Sequence, residues 1–236
     1  MTTIATSTEY DQLIKHMKDT ALLGSTLGLL GWDQEVMMPK KGIDFRSNQI
    51  SVMARMYHEM TTDQKVGDWL SACEEDRDVI GEPTSVSATN IRELRHSYDR
   101  ATKLPTELVE EEAVLSSKGQ EAWKEARKNN DFKEFQPWLE KIVELLQRKA
   151  ECYGWADGGE PWDALAEDYE PGCTATSVSE VFTPLRKRLQ VLLDEIMGSD
   201  TKPSNAFNEI TLPIDQQQAF VRSIATQIGF DFDAGR

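Results

Sequence analysis

Cysteine is scarce in this sequence. Cys73, Cys152 and Cys173 are the only three in 236 residues. They are widely spaced, odd in number, and form no Cys-x-x-Cys pair. That excludes a disulfide framework and a cysteine-built zinc site, and it points to reduced thiols in a cytoplasmic protein. Long apolar runs are missing too. The longest uncharged stretch lies between Asp19 and Asp33 and contains Ser25 and Thr26, whereas a transmembrane helix needs ~20 mostly apolar residues. No membrane partner is expected. The opening Met1-Thr2-Thr3-Ile4-Ala5-Thr6-Ser7 has neither a basic region nor an apolar core, so it does not read as a secretory signal. Cationic charge is in deficit: 26 Lys and Arg against 41 Asp and Glu leave a net charge of -15. Binding to a phosphate backbone rests on cations, so a nucleic-acid partner is excluded, and the acidic surplus reads as a solvated surface. With 39% apolar residues the chain is nonetheless too hydrophobic to be disordered.

Alternation with period two is also absent over any useful length, which removes a sheet. What is present is helical periodicity, and the expected class is all-α: a multi-helix bundle of about eight or nine helices, with at most a short strand near 209–212. The first helix is expected to open at Thr6 with Glu9 as a capping box, burying Tyr10, Leu13, Ile14, Met17 and Ala21. From Ala21 to Leu30 it is apolar all round, which predicts burial on several sides. Gly24, Gly28 and Gly31 share a face and predict close approach of another backbone. Further helices are expected over about 43–60, from Thr61 (boxed with Gln64) to about 76, over 87–103, from Pro105 to about 129, and from Asp131 to Gly154. The last of these carries the stripe Phe132, Phe135, Leu139, Ile142, Val143, Leu145 and Leu146. A short helix follows Pro161. An eighth, capped at Thr174/Ser177 or at Ser177/Glu180, carries Val178, Val181, Phe182, Leu185, Leu189, Leu192 and Ile196. A ninth runs from about Asp215 to a terminal Gly229.

Motif chemistry is thin. The histidines are His16, His58 and His96. His58-Glu59 begins an H-E-x-x-H zinc motif, but Thr62 stands where the second ligand is required. Glu93-Leu94-Arg95-His96 is a single copy of the unit that di-iron bundles use twice. There is no G-x-S-x-G, no P-loop and no G-x-G-x-x-G. Runs such as Glu110-Glu111-Glu112 read as solvated faces, and Arg92, Arg95 and Arg100 as a patch that pairs with nearby acids. Two segments stand out: Gly31-Trp32-Asp33-Gln34-Glu35, where an apolar helix ends on an aromatic and polar groups, and Glu160 to Gly172, which is dense in aromatics and acids.

Those segments carry a resemblance. Leu30-Gly31-Trp32-Asp33-Gln34-Glu35 with Met38-Pro39 resembles the opening signature of the thermostable carboxypeptidase family, the carboxypeptidase Taq type of zinc metallopeptidases. Tyr98-Asp99-Arg100 with Pro105 looks like that family's Tyr-x-Arg…Pro segment. Trp123 to Gly154, Asp163-Ala164-Leu165, Asp168-Tyr169-Glu170-Pro171-Gly172 and Gly229-Phe230-Asp231-Phe232 follow in the same order. Trp162 departs from the family's usual tyrosine.

The resemblance implies an α-helical fold, removal of single residues from peptide C-termini with broad specificity, and homodimers. It also implies zinc, or another divalent metal, on H-E-x-x-H plus a downstream glutamate. Three protein ligands leave room for a water whose pKa zinc lowers to ~7. None of these residues, nor the family's His-Pro-Phe segment, occurs before Arg236. Residues 1–236 are therefore expected to be the N-terminal helical part of a larger enzyme, inactive and metal-free alone. No catalytic or metal residue carries over. Trp32, Asp33, Gln34, Tyr98, Arg100, Asp163 and Tyr169 are the matching positions, either lining the substrate groove or holding helices together. The alternative is a stand-alone, non-catalytic helical interaction module.

Overall fold

A computed structural model of the chain describes residues 8–201 and 203–235. Among them the chain forms ten α-helices, two 3-10 turns and no strand. The helices are α1 (Thr8–Val36), α2 (Ile43–Thr61), α3 (Gln64–Glu75), α4 (Arg77–Ile80), α5 (Val86–Ala101), α6 (Thr106–Asn129), α7 (Phe132–Tyr153), α8 (Pro161–Ala166), α9 (Ala175–Gly198) and α10 (Ile214–Gln227). The nine periodic segments each become a helix. The tenth, α4, is one turn too short for periodicity to reveal; the Asp76 side chain caps it by accepting from the Asp78 and Val79 amides. At 209–212 no strand forms: a 3-10 turn over Ala206–Glu209 precedes extended chain.

Local chemistry sets most of the boundaries. Asp131 caps α7 through the Lys133 amide. Asn130, at φ +53°, reverses the chain after α6, with the Asp131 amide bonded to the Ala126 carbonyl. Thr174 and Ser177 cap α9 reciprocally, so the first of the two capping alternatives forms. Gly229, at φ +90°, ends α10, with the Phe230 amide reaching the Ala225 carbonyl. One predicted cap fails. Asp63, not Thr61, caps α3 by accepting from Lys65, because the Thr61 hydroxyl is turned back onto the Tyr57 and His58 carbonyls of α2. The predicted Thr6 cap of the first helix lies outside the described residues.

The chain divides between Ser179 and Glu180 into two units. In the first, Tyr10 and Leu13 of α1, Val66, Leu70 and Cys73 of α3, Val79 of α4 and Ile91 of α5 make one core cluster. Val66, Leu70 and Cys73 fall at i, i+4 and i+7, one face of a helix. A second cluster joins Leu108 and Leu115 of α6 to Leu145 of α7. A third joins Ala150 and Tyr153 of α7 to Ala164 of α8. Helix α6 packs against both α2 and α7. Three expectations of burial are corrected. Leu22 and Leu29 on α1 are well exposed. Phe132, Leu139 and Val143 on α7 are exposed while Leu145 is buried. Of the three glycines on α1 only Gly24 is closely approached, and by a side chain: a Cβ there would lie 2.9 Å from Tyr57 Cε2, whereas Gly28 and Gly31 face open space. An apolar stripe shows which face avoids water, and within the first unit nothing fully covers these faces.

The second unit holds the rest of α9, the 3-10 turn and α10. No residue of α9 or α10 is buried, so the core expected along α9 is corrected: Val178 is half-buried, and Val181, Phe182, Leu185, Leu189, Leu192 and Ile196 are exposed. Pro184 lies inside α9, and its missing N–H leaves the Glu180 carbonyl without its i+4 donor.

Candidate functional site

The polar junction between α5, α7 and α8 is the best-formed candidate site in the first unit. Tyr98 and Arg100 are two apart on α5 and so face different ways. Tyr98 packs back on α3, where Gly67 makes room: a Cβ on Gly67 would sit 2.6 Å from the Tyr98 hydroxyl. Arg100 turns toward α7 and α8. Its guanidinium lies 3.9 Å from the Tyr153 ring centroid. Arg100 Nε and Nη2 both donate to Asp168 Oδ1, at 3.0 and 2.6 Å, and Nη2 also donates to the Ala164 carbonyl at 3.0 Å. The planar fork thus reaches a carboxylate, a carbonyl and an aromatic face at once, which an ammonium group could not do. Lys103 Nζ donates to the Tyr153 carbonyl.

Two clefts open around this junction, of about 670 and 390 Å³, and His96, Arg100, Tyr153 and Glu167 line both. Glu112 also lines the larger one; Lys149 Nζ donates to its Oε1 at 3.0 Å and lies 6.0 Å from the Tyr153 ring. Burial alone would lower the Lys149 pKa, but the hydrogen bond and charge of Glu112 outweigh it and raise the pKa above its usual value. Burial raises the Tyr153 hydroxyl pKa, with Lys149 pulling it partly back. Both shifts act on stability in the same direction. A raised lysine pKa and a raised tyrosine pKa each stabilise the fold below the unfolded values, near pH 10, and that stabilisation is lost as pH climbs through the folded ones. Stability from this pair is therefore expected to be flat through neutrality and to fall above about pH 10. Chemical unfolding at stepped alkaline pH checks this, and the fall should be shallower in Tyr153→Phe.

Asp163 sits beside this junction on α8. Its Oδ2 accepts from the Glu160 amide at 3.0 Å and its Oδ1 from the Ala175 amide at 2.7 Å, so one carboxylate ties together the first turns of α8 and α9. Tyr169 stands apart, 89% exposed.

The opening signature forms a second junction at the end of α1. Arg46 of α2 donates Nη2 to Asp33 Oδ2, Nη1 to the Leu30 carbonyl at 2.6 Å, and Nε to Gln49. A cation at a helix C-terminus also complements the helix dipole. Gln34 is buried and accepts from the Ser117 hydroxyl of α6 at 2.6 Å. Trp32, on the same turn, is 43% exposed. Of the seven matching positions, then, Arg100 and Asp163 gather at one junction, Asp33 and Gln34 form another, Tyr98 packs on α3, and Trp32 and Tyr169 present aromatic surface.

Sequence reading missed the partners: Arg46, Ser117, Tyr153 and the Lys149–Glu112 pair. It also misjudged Glu110, Glu111 and Glu112. Rather than a solvated run, they pair with Arg55 of α2 and with Arg148 and Lys149 of α7. Arg92, Arg95 and Arg100 do pair with acids, namely Glu93, Glu74 and Asp168.

The histidines are engaged structurally. His16 Nε2 lies 2.8 Å from the Met60 carbonyl and His58 Nε2 3.0 Å from the Leu104 carbonyl. A carbonyl only accepts, so each Nε2 carries the proton. His96 lies 3.8 Å from Glu167. Among the described residues no three His, Cys, Asp or Glu side chains cluster so as to hold a metal ion, and no helix is long and apolar enough to cross a membrane.

The family model for carboxypeptidase Taq (M32) metallopeptidase matches residues 12–236. Thermostable carboxypeptidase 1 of Thermus thermophilus is 35% identical over 96% of this chain and 46% of its own length. Carboxypeptidase 1 of Bacillus subtilis is 26% identical over 97% of this chain and 44% of its own. The solved structure of BsuCP superposes with a TM-score of 0.87 at 25% identity, covering 98% of this chain and 45% of that one. Pyrococcus furiosus carboxypeptidase in an Apo-Mg form gives 0.77 at 28% identity, covering 97% and 45%. The chain thus spans under half the length of the curated relatives it matches.

Proposed function

The chain belongs to the carboxypeptidase Taq (M32) metallopeptidase family, and on that premise we propose that residues 1–236 form the N-terminal helical part of a metallocarboxypeptidase. That enzyme removes single residues from peptide C-termini with broad specificity. The observation that carries the reading is the family match over residues 12–236, together with relatives that are each covered over less than half of their length. Zinc is the metal of this reading, and homodimers in the cytoplasm its setting.

The donors in this chain do not fit the metal. Two of its three imidazoles are committed through Nε2 to backbone carbonyls, and Thr62 replaces the second histidine after His58-Glu59. The peptidase chemistry is therefore supplied from outside these residues. What this chain contributes is a wall. Arg100 and Asp163 hold α5, α7, α8 and the start of α9 in register; Arg46, Asp33 and Gln34 lock the end of α1 to α2 and α6. Trp32 and Tyr169 offer exposed aromatic surface to a peptide groove. The 236-residue chain, purified from zinc-supplemented medium, is expected to hold well under one equivalent of zinc after dialysis, measured by atomic absorption. One tightly held equivalent per chain would overturn this assignment.

A further inference from the structure

The larger cleft beside Tyr153 is built entirely from the first unit. Its volume of about 670 Å³ falls within the range of small-molecule sites. Leu104 and Val109 give it apolar lining, and Leu104 also packs on the cluster that holds Tyr153. Arg100, Glu112, Glu167 and Asp168 give it charged lining.

The hydrogen-bonding capacity of that lining is only partly used. Tyr153 is 9% exposed, yet among the described residues no hydrogen bond reaches its hydroxyl. No sealed side-chain polar atom of the described chain lacks a partner, so this hydroxyl is open to the cleft. Its raised pKa keeps it a donor at neutral pH. Arg100 commits Nε and Nη2 to Asp168 and Ala164 and leaves Nη1 without a bond. Asp168 accepts through Oδ1 alone. Glu167 accepts through Oε2, from the Gly172 amide, and its Oε1 has only His96 at 3.8 Å, beyond hydrogen-bond reach.

Unused donors and unused acceptors therefore stand together, and this selects the ligand. A simple anion would face Glu112, Glu167 and Asp168. A simple cation would leave Arg100 Nη1 unanswered. A small zwitterion answers both, with a carboxylate for the donors and an ammonium for the acceptors. The apolar lining suits an aliphatic side chain.

We propose that this cleft binds a free aliphatic α-amino acid, its carboxylate held by the Tyr153 hydroxyl and Arg100 Nη1 and its ammonium by Asp168 and Glu167. The choice of an amino acid among small zwitterions rests on the function proposed above, whose reaction releases one at each turnover. The helical part thereby carries a site for the product of that reaction.

Titration of the 236-residue chain with L-leucine, read by saturation-transfer NMR, tests this. Saturable binding is expected with a Kd of about 1 mM or tighter. 4-Methylpentanoate lacks the ammonium and 3-methylbutylamine lacks the carboxylate, and each should bind at least about 10-fold more weakly. Tyr153→Phe and Asp168→Asn are near-isosteric, and each should weaken leucine binding at least about 5-fold. Absence of saturable leucine binding up to about 20 mM would overturn the proposal. So would equal affinity for the acid or the amine, since one charge is then enough. Unchanged leucine binding in either variant would overturn it too, because the ligand then sits elsewhere. Peptide release by this chain joined to the unmatched portion of the Thermus thermophilus relative separates the two claims. Release without leucine binding sinks the amino-acid site alone, and leucine binding without release sinks the peptidase reading alone.

Discussion

Arg100→Ala is expected to lower the unfolding free energy of the first unit by about 2–3 kcal/mol. The guanidinium is mostly covered and makes three hydrogen bonds, two to Asp168 and one to the Ala164 carbonyl. Its removal leaves a carboxylate and a carbonyl without their donor and strips the cation from the face of Tyr153. Asp168 is about two-fifths exposed, so water compensates part of the loss, and the expected cost falls below the full penalty of a broken buried pair. Arg100→Lys should recover less than half, because an ammonium cannot reproduce the fork and the stacking together. Urea unfolding followed by near-UV circular dichroism, which sees Tyr153 and its neighbours, measures both. A loss below about 0.5 kcal/mol for the alanine variant would mean that the junction does not hold α5, α7 and α8 together.

Leu70→Ala should cost more, about 3–4 kcal/mol. Leu70 is 0% exposed at the centre of the cluster that α1, α3, α4 and α5 share, so truncation removes transfer energy and leaves a cavity as well. The informative control is Leu189→Ala on α9. Both residues are leucines in apolar helical stripes, and sequence periodicity cannot separate them. Leu189 is 53% exposed, and its truncation in the 236-residue chain is expected to change stability by less than about 0.5 kcal/mol. Equal losses at both sites, measured by the same unfolding curves, would show that α9 is packed as tightly as α3.

The same contrast explains how far the sequence could be read. Helices were legible because their apolar residues recur at helical spacing, as Val66, Leu70 and Cys73 do, and because caps such as Asp131 and the Thr174–Ser177 pair are local chemistry. The α3 cap was misplaced because Thr61 and Asp63 are both good cap residues. Only the packing of α2 shows that the Thr61 hydroxyl is spent on its own helix. Partners distant along the chain left no local trace. Arg46 binds Asp33 across 13 residues and Arg100 binds Asp168 across 68. Nothing in spacing distinguishes these arginines from the others.

Periodicity also states which face shuns water without stating what covers it, and so the stripes of α1, α7 and α9 were overestimated as core. The family was legible for a different reason. The residues that carry the resemblance include Asp33, Gln34, Arg100 and Asp163, and each of these ties one helix to another. The H-E-x-x-H pattern does not occur in residues 1–236.

Release of a C-terminal residue from an N-blocked peptide tests the central claim most directly. It is assayed with zinc for the 236-residue chain and for the chain joined at Arg236 to the unmatched portion of the Thermus thermophilus relative. The expected result is no release above background by the chain alone, and release by the joined protein that a chelator abolishes and added zinc restores. Zinc-dependent turnover by the 236-residue chain itself would contradict the account.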